Sequence, residues 1–240
     1  MIVTGIIKVE EGDNVSAAER IIIALDLDEG RALELAQALQ GQALWMKVGM
    51  TLYYAAGPQI VAKLRALGFK VFLDLKLFDI PHQIEGAARA AAASGADFVS
   101  VHASGGAEML RAAAAGLGEK ALGLGITVLT SFNQVTLAEV GVERPLVEQV
   151  QALAALALDN GMRGVVTSPK EATLLRRQLG PDALIVTPGV RPAGAQKGDQ
   201  KRVATPAEAF AAGASHIVVG RPITAAGDPL QAFSEICASL

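Results

Sequence analysis

Two charged side chains in the middle of an apolar run are the first residues whose types and spacing could do chemistry. Asp74 and Lys76 lie within the run 72–77, whose other members are phenylalanine and leucine. Side chains two residues apart on a strand point to the same face, and burying two charges there is costly unless they are paired. Asp26 and Lys47 stand at the ends of two other short apolar runs. These four charges of alternating sign predict a catalytic cluster that acts on a small substrate.

Each of these residues also has a purely structural interpretation. Asp74 and Lys76 could form an ion pair that only closes one end of a barrel. Lys47 could be a surface lysine with its ammonium group in water, and Asp26 could cap the helix that follows it. His102, at the end of another apolar run, fits a hydrogen-bonded core histidine as well as a site residue. The convergence of several charges favours catalysis, because stability alone rarely retains so costly a network.

Two arginines late in the chain predict a phosphate site. Arg191 and Arg221 each follow a short apolar run, and each guanidinium group can bind a phosphate through two parallel hydrogen bonds. Gly220, directly before Arg221, lets backbone N–H groups come close to an anion. The loop 188–203, which holds Arg191, is long and rich in Gly, Gln and Lys, so we expect it to close over the phosphate as a lid.

The elements that must position these residues form one repeating unit, in which a short apolar run is followed by a helical stretch. The predicted strands are 21–25, 44–48, 69–75, 98–101, 125–129, 164–167, 184–186 and 216–219. Strict alternation predicts parallel pairing with right-handed crossovers. Eight units favour an α/β protein with a single-domain (β/α)8 TIM barrel, in which chemistry lies at the carboxyl ends of the strands. The alternative is an open doubly wound sheet, but no G-x-G-x-x-G turn follows the first strand.

The chain shows no linker or change of composition, so we expect one barrel domain over 21–240, preceded by an N-terminal extension over 1–20. The helical stretches include one long predicted helix over 51–67. A glycine follows most of them, for example Gly95 and Gly116, as is typical where a helix ends in a left-handed residue.

Composition and charge exclude several classes of protein. The 240 residues are 51% hydrophobic and 19% charged, with a formal net charge of −3 and no basic run. We therefore expect neither nucleic acid nor a membrane as a partner. The single cysteine, Cys237, cannot form an intrachain disulfide, and no export signal is visible, so we expect a cytoplasmic protein. His82 and His216 are expected to be structural, and no spacing of His and carboxylate residues indicates a metal or another cofactor.

Taken in order along the chain, these motifs resemble the orotidine 5′-phosphate decarboxylase family. The most specific is D-x-K-x-x-D followed by Ile-Pro, present here from Asp74 to Pro81. The supporting motifs are A-L-D at 24–26, K-V-G at 47–49, V-H-A-S-G-G at 101–106, L-T-S at 129–131, T-P-G-V-R-P at 187–192, G-D-Q at 198–200 and V-G-R-P-I-T at 219–224. The resemblance covers roughly residues 21–238, which is nearly the whole predicted barrel.

The resemblance implies an enzyme that converts orotidine 5′-phosphate into uridine 5′-phosphate in de novo pyrimidine synthesis, without a metal or cofactor. It implies that Lys76 donates a proton to the carbon that loses CO₂, with Asp74 against the substrate carboxylate. Lys47 and Asp79 complete the alternating network, and Asp79 comes from the partner subunit of a homodimer. The resemblance also implies that Lys47 contacts the substrate, that Asp26 binds the ribose, and that Thr130 and Ser131 approach the pyrimidine. The residues implied for the phosphate or its neighbourhood are Arg191, Gln200, Gly220 and Arg221.

The chain departs from the family's pattern at one position. After Asp-Ile-Pro the family usually has Asn-Thr, whereas this chain has His82 and Gln83. In the family, the threonine helps to bind the neighbouring subunit's substrate. We therefore expect that contact to differ here, while the catalytic charges are unaffected.

Three other kinds of protein fit part of the pattern. Metal-dependent sugar-phosphate decarboxylases and formaldehyde-condensing synthases share the D-x-K-x-x-D motif, but they carry a metal-binding glutamate in the region where Lys47 stands. An aldolase could use Lys76 as a Schiff-base nucleophile. The third alternative is a protein that binds a phosphorylated ligand without catalysis.

Overall fold

A computed structural model describes residues 16–192 and 204–240. Its strands pair in chain order and in parallel, and the last pairs with the first, so the sheet is closed. The strands are β1 (Ile21–Ala24), β2 (Trp45–Gly49), β3 (Lys70–Leu77), β4 (Phe98–His102), β5 (Leu122–Ile126), β6 (Gly164–Val166), β7 (Leu184–Thr187) and β8 (His216–Val219). The predicted (β/α)8 barrel is confirmed.

Helices connect the strands and surround the barrel. They are α1 (Glu29–Ala38), α2 (Met50–Ala56), α3 (Gln59–Ala66), α4 (Pro81–Ala93), α5 (Gly106–Leu117), α6 (Gln134–Glu139), α7 (Leu146–Asp159), α8 (Pro169–Leu179), α9 (Pro206–Ala211), α10 (Arg221–Thr224) and α11 (Pro229–Ala238). Short 3₁₀ helices lie at Ala17–Arg20 and Ala103–Gly105. Of the helices within 16–192 and 204–240, none is both long enough and apolar enough to cross a bilayer.

The inward-facing side chains change in character along the barrel axis. Near the amino-terminal ends of the strands, Trp45 stacks on Phe98 with ring centroids 4.2 Å apart, and His216 meets both rings edge-on. The middle of the barrel is apolar and includes Ile22, Phe72, Leu124, Val186 and Val218. Because side chains alternate along a strand, the next inward positions of β2, β3 and β4 are Lys47, Asp74 and Ser100. The barrel is thus apolar at one end and polar at the other.

The opposite faces of the strands pack against the helices. Val71 and Leu73 of β3 are fully buried in one apolar cluster with Ile60 and Leu64 of α3. This packing leaves only the inner face of β3 available for charged side chains, since a charge on the outer face would be buried among apolar residues.

The predicted bounds of the fifth strand were wrong, because β5 begins three residues earlier than expected and ends at Ile126. Gly123 and Gly125 explain the error. A Cβ atom at residue 123 would lie 2.6 Å from Met162 Sδ, and one at residue 125 would lie 2.5 Å from Ala157 Cβ. Close packing therefore requires glycine in this strand, and glycine removes the β-branched residues by which strands are recognised.

Two predicted helices also have different bounds. The stretch 51–67 contains α2 and α3, separated where Gly57 adopts a φ of 74° and Pro58 follows, because proline lacks the N–H that would continue the first helix. Gly116 lies inside α5 rather than after it, and Gly118, with a φ of 56°, follows the helix instead.

The division into 1–20 and 21–240 stays a prediction. Arg20, at the end of the first range, contacts the barrel: its guanidinium group donates hydrogen bonds to the carbonyl oxygens of Ala214 and Ser215 over 2.9 and 3.1 Å. It also lies 3.9 Å from the centre of the Phe210 ring. These contacts join the segment before β1 to the amino-terminal end of β8.

Candidate active site

Four charged side chains from neighbouring strands meet at the mouth of the barrel. Lys47 Nζ lies 3.1 Å from Asp26 Oδ1 and 3.5 Å from Asp74 Oδ2, and Lys76 Nζ lies 2.9 Å from the same Asp74 oxygen. Lys47 and Asp74 are each only 8% exposed, whereas Asp26 and Lys76 reach solvent. The structure therefore brings together the four residues of the predicted cluster and holds the Asp74 carboxylate between two ammonium groups.

Opposing effects act on the ionisation of Asp74. Burial alone would raise the pKa of this carboxyl group, but the charges of Lys47 and Lys76, with hydrogen bonds from Lys76 and Ser100, lower its pKa below the ordinary value. Asp74 is therefore a carboxylate at neutral pH. The cluster keeps a buried negative charge because two cations and a hydroxyl group compensate for its lost hydration.

The backbone of Lys76 is unusual. With a φ of 52°, Lys76 is the one non-glycine residue in the described part of the chain that has a positive φ. The pairing of β3 with β4 changes register between Leu73 and Leu77, on either side of it. The Lys76 N–H donates a hydrogen bond to Ser100 Oγ over 2.8 Å. This irregularity in the pairing and the hydrogen bond to Ser100 together determine the direction in which the Lys76 side chain leaves the strand.

Ser100 is a residue that the sequence interpretation missed. It is fully buried, and its hydroxyl group donates to Asp74 Oδ1 over 2.8 Å. The available signal was a single hydroxyl residue within the apolar run 98–101. Alternation from the buried Phe98 would have placed it on the inner face.

The structure decides between the interpretations left open for three residues. Lys47 is buried inside the barrel and is not a surface lysine. Asp28, rather than Asp26, caps α1 by accepting a hydrogen bond from the Arg31 N–H over 3.0 Å. His102 is half-buried at the mouth and touches Phe78 edge-on. Burial first, and then the charge of Lys76, lower its pKa, while Asp74 raises it, so His102 belongs to the electrostatic surroundings of the cluster.

Asp79 does not join the cluster of its own chain. It is exposed in the loop after β3, and its Oδ1 atom accepts a hydrogen bond from the next residue, Ile80, over 2.7 Å. Among the described residues it forms no ion pair. Its predicted place in the network therefore requires either a rearrangement of the loop or a second chain.

Thr130 and Ser131 lie in the loop between β5 and α6. Thr130 is half-buried and Ser131 is exposed. Because β5 ends at Ile126, they are not at the end of the strand, as the predicted bounds implied, but further along the loop above the mouth. Their predicted role towards a pyrimidine stays a prediction.

The predicted phosphate residues follow two adjacent strands, β7 and β8. Arg191 is half-buried, and its N–H donates to the Ala204 carbonyl over 3.0 Å. Gly220 precedes α10, and Arg221 is exposed at the first position of that helix. The predicted binding residue Gln200 and most of the proposed lid, residues 193–203, lie outside the described residues.

The other histidines lie away from the cluster. His82 is exposed at the start of α4, and His216 lies among aromatic rings at the opposite end of the barrel. Within 16–192 and 204–240, no three side chains of His, Cys, Asp or Glu are grouped so that they could hold a metal ion.

The fold is a closed (β/α)8 barrel, and a Lys–Asp–Lys cluster lies at the carboxyl ends of its strands, with Lys47 and Asp74 buried. This is the architecture of a barrel enzyme, in which the chemistry takes place at that face. The sequence model of the orotidine 5′-phosphate decarboxylase / HUMPS family matches residues 19–236. The chain belongs to this family.

Individual relatives are similar over most of their length. An orotidine 5′-phosphate decarboxylase of Anaeromyxobacter sp. (strain K) is 51% identical, covering 93% of this chain and 99% of the relative. The one of Moorella thermoacetica is 47% identical over 96% of both chains. The crystal structure of orotidine 5′-phosphate decarboxylase from Lactobacillus acidophilus superposes with a TM-score of 0.81 at 39% identity, covering 91% of this chain and 97% of that one.

Proposed function

We propose that this chain catalyses the decarboxylation of orotidine 5′-phosphate to uridine 5′-phosphate in pyrimidine biosynthesis. The observation that carries the proposal is the Lys47–Asp74–Lys76 cluster at the mouth of the barrel, with contacts of 3.5 and 2.9 Å to one carboxylate oxygen. The reaction is the one in the names of the curated relatives.

The chemistry needs a proton donor and cations fixed in advance. When the bond between the pyrimidine ring and the carboxylate breaks, CO₂ leaves and the electron pair stays on the ring carbon. Lys76 then donates a proton to that carbon and recovers one from solvent, which its partly exposed side chain can reach. Asp74 lies beside the substrate carboxylate and keeps the Lys76 ammonium group in place.

The ammonium groups stabilise the charge as it develops. At an effective dielectric constant near 20, two unit charges about 4 Å apart attract each other by roughly 4 kcal/mol. An interaction of this size lowers the barrier only if it strengthens from the bound substrate to the transition state. The cations of this site are already oriented by their ion pairs, so little reorganisation is needed when the bond breaks.

The remaining site residues bind the substrate away from the reacting carbon. In this proposal Asp26 binds the ribose, Thr130 and Ser131 approach the pyrimidine, and Arg191, Gln200, Gly220 and Arg221 hold the phosphate. Their support is the placement of the described members on loops above the carboxyl ends of β1, β5, β7 and β8. Binding energy from the phosphate offsets the cost of removing water from the reacting groups.

Replacing Lys76 by alanine tests the role of the proton donor. We expect Lys76→Ala to lose decarboxylation while it still folds and binds uridine 5′-phosphate, because the barrel core is unchanged. Turnover is followed by the loss of absorbance of orotidine 5′-phosphate. Lys63→Ala is the matched control, since Lys63 pairs with Glu29 on the outside of the barrel. Activity of Lys76→Ala within about tenfold of the wild type, or 1.4 kcal/mol in barrier height, contradicts the assignment.

The same assay in EDTA separates this proposal from the metal-dependent relatives. We expect no loss of rate, because the Lys47 ammonium group lies 3.5 Å from Asp74 Oδ2 and repels a cation placed beside it. Loss of activity in EDTA, with recovery on adding Mg²⁺, would favour a metal-dependent reaction. Trapping with borohydride tests the Schiff-base alternative, and ligand binding without turnover would indicate a non-catalytic binder.

We further infer that two copies of the chain share their sites, with Asp79 acting in the site of the partner. Asp79 lies outside its own cluster, between Phe78 and Ile80, which are 61% and 64% exposed. Tyr54 of α2, which follows the adjacent strand β2 in the same chain, is 76% exposed. Exposed apolar residues around a carboxylate are typical of a surface that another chain covers.

Mixing two inactive variants tests the shared site. Lys76→Ala and Asp79→Ala should each be inactive alone. After unfolding and refolding together in equal amounts, half of the dimers are mixed and each holds one intact site, so about one quarter of the wild-type activity should return. If Asp79 acts within its own chain, the mixture stays inactive. Sedimentation equilibrium, run on the same samples, reports whether dimers form.

A further inference from the structure

One buried hydroxyl group connects the two parts of the catalytic cluster on β3. Ser100 lies on the inner face of β4, and its exposure is 0%. Its hydroxyl group donates to Asp74 Oδ1 over 2.8 Å and accepts the backbone N–H of Lys76 over 2.8 Å. The Asp74 carboxylate and the Lys76 backbone are therefore tied to the same atom of a neighbouring strand.

The local backbone of β3 depends on this atom. Lys76 lies within the interval in which the pairing of β3 and β4 changes register, and its φ is 52°. A left-handed backbone is unfavourable for a residue with a side chain, and it persists only where its surroundings fix it. The acceptor for the Lys76 N–H is the Ser100 hydroxyl rather than a carbonyl of the ladder. Without it, this partly buried N–H would lose its partner within the protein.

We propose that Ser100 is a positioning residue, whose hydroxyl group locks the Lys76 backbone and the Asp74 carboxylate in one arrangement. This arrangement holds Lys76 Nζ 2.9 Å from Asp74 Oδ2 at the mouth of the barrel. The inference rests on the proposed function, in which Lys76 is the proton donor. Ser100 acts through these two neighbours and contacts no reacting atom itself.

Loss of the Ser100 hydroxyl group would alter the ionisation of Asp74 as well as the positions of Asp74 and Lys76. The hydrogen bond from Ser100 is one of the contacts that lower the pKa of Asp74 against the effect of burial. Its removal raises that pKa, so the fall in kcat/KM towards acid pH should begin at a higher pH. The charged and titratable groups around Asp74 are Lys47 on β2, Lys76 on β3, His102 at the end of β4, and Asp26, which reaches it through Lys47.

The test compares Ser100→Ala with Ser215→Ala. Ser215 is a matched control at the opposite end of the barrel, where its hydroxyl group accepts hydrogen bonds from Arg176 and from the Ile185 N–H, each over 3.0 Å. Each variant loses a hydroxyl group that accepts a hydrogen bond from a backbone N–H. The group is buried in Ser100 and half-buried in Ser215. We measure kcat, KM and the pH profile with orotidine 5′-phosphate, and binding of uridine 5′-phosphate by calorimetry.

For Ser100→Ala we expect kcat to fall about 100-fold, because a displacement of the order of 1 Å in a catalytic group has an effect of that size. KM and the affinity for uridine 5′-phosphate should change by less than about threefold, because the groups that bind the rest of the nucleotide stay in place. The acid limb should move to higher pH. Ser215→Ala should keep the wild-type kcat and pH profile. Equal, small effects of the two substitutions would overturn the proposal.

Ser100→Cys decides the question if the alanine variant does not fold. It nearly preserves the volume, but its thiol is a weak donor and a weak acceptor, so kcat should fall below the wild-type value, by less than the roughly 100-fold expected for complete loss of the hydroxyl group, while binding is unchanged. A wild-type kcat for this variant would also overturn the proposal.

A readout without turnover separates this inference from the proposed function. Hydrogen exchange of the Lys76 backbone N–H, followed by NMR on lysine labelled with ¹⁵N, should be slow in the wild type and faster in Ser100→Cys. If the wild type does not convert orotidine 5′-phosphate, the proposed function fails, and the exchange rates still test whether Ser100 holds the backbone. Equal exchange rates contradict the positioning role even in an active enzyme.

Discussion

At the scale of single residues, the site depends on how much room each charge has. Lys47 Nζ lies between Asp26 and Asp74, and the space beside it is left open by Gly49. A Cβ atom on Gly49 would lie 3.1 Å from Lys47 Nζ and 3.2 Å from Asp26 Oδ1. Because its φ is −87°, the backbone itself would accept another residue. The absence of a side chain at Gly49 therefore serves the ion pair rather than the chain conformation.

The first prediction concerns this glycine. Gly49→Ala should crowd the ion pair between Lys47 and Asp26 and lower kcat/KM by about tenfold, equivalent to 1.4 kcal/mol. The free energy of unfolding should change little, because the groups that must move are the ends of side chains at the mouth. Steady-state kinetics and urea unfolding measure the two effects. Gly86→Ala, where a Cβ atom would have no neighbour within 4 Å, is the control, and equal kinetics for both variants would contradict the prediction.

At the scale of elements, the barrel is shaped by close contacts between strands, helices and their neighbours. β5 approaches α7 where Gly125 meets Ala157, and α5 approaches α4 where Gly116 faces the backbone of Glu85. A Cβ atom on Gly116 would overlap the Glu85 carbonyl oxygen and lie 2.9 Å from Ala88 Cβ. α4 follows the loop that carries Asp79, so this contact also helps to determine where that loop ends.

The second prediction concerns the contact between α4 and α5. Gly116→Ala should reduce the free energy of unfolding by about 1–3 kcal/mol, the usual cost of overfilling a packed site. Gly86→Ala in α4 should instead be neutral or stabilising, by up to about 1 kcal/mol, since alanine is the better helix former. Urea denaturation of both variants measures the difference. If the two variants are equally stable, helix packing at Gly116 is looser than the distances indicate.

At the scale of the whole molecule, the two ends of the barrel have opposite characters. The carboxyl end holds the charged cluster, in which Asp26 and Lys76 reach solvent while Lys47 and Asp74 are buried, whereas the amino end is closed by Trp45, Phe98 and His216. Burial first, and then the charges of Arg20 and Lys70, lower the pKa of His216 from 6.5 to about 4. A histidine that stays neutral in the folded protein but takes up a proton when unfolded makes stability depend on pH.

The third prediction follows from the direction of this shift. Between pH 6.5 and about 4 the unfolded chain binds a proton at His216 that the folded chain does not, so stability falls as the pH decreases through this window. Between pH 7 and pH 5, the proton uptake of His216 in the unfolded chain should lower the free energy of unfolding by about 2 kcal/mol. His216→Phe should lose less stability over the same interval, whereas His82→Phe, at an exposed position, should behave as the wild type. Urea unfolding at pH 7 and pH 5 measures the change in the free energy of unfolding of each protein. The same change in the wild type and both variants would contradict the prediction.

Local patterns in the sequence were enough to predict several parts of the molecule. Alternating apolar and helical runs predicted the barrel, because the period of the hydrophobic residues depends on neighbours in the chain. Asp74 and Lys76 could be placed on one inner face for the same reason. Their convergence with Asp26 and Lys47 followed from the parallel arrangement, in which all carboxyl ends of the strands lie on one side.

Other features depended on distances between segments far apart in the chain. The bounds of β5 could not be predicted because its glycines are required by Met162 and Ala157, which come from later parts of the sequence. The exposed position of Asp79 and the capping of α1 by Asp28 instead of Asp26 required atomic geometry. No periodicity in a sequence records which of two nearby oxygen atoms accepts a particular N–H.

The sequence by itself thus determined the order of elements, the closed parallel barrel and the residue types at its mouth, because these depend on hydrophobic period and on the alternation of side chains. Only the tertiary structure decided that Ser100 joins Asp74 to the backbone of Lys76 and that Lys76 adopts a φ of 52°. Those features arise from the register between β3 and β4, which is set by packing between strands and not by either strand alone.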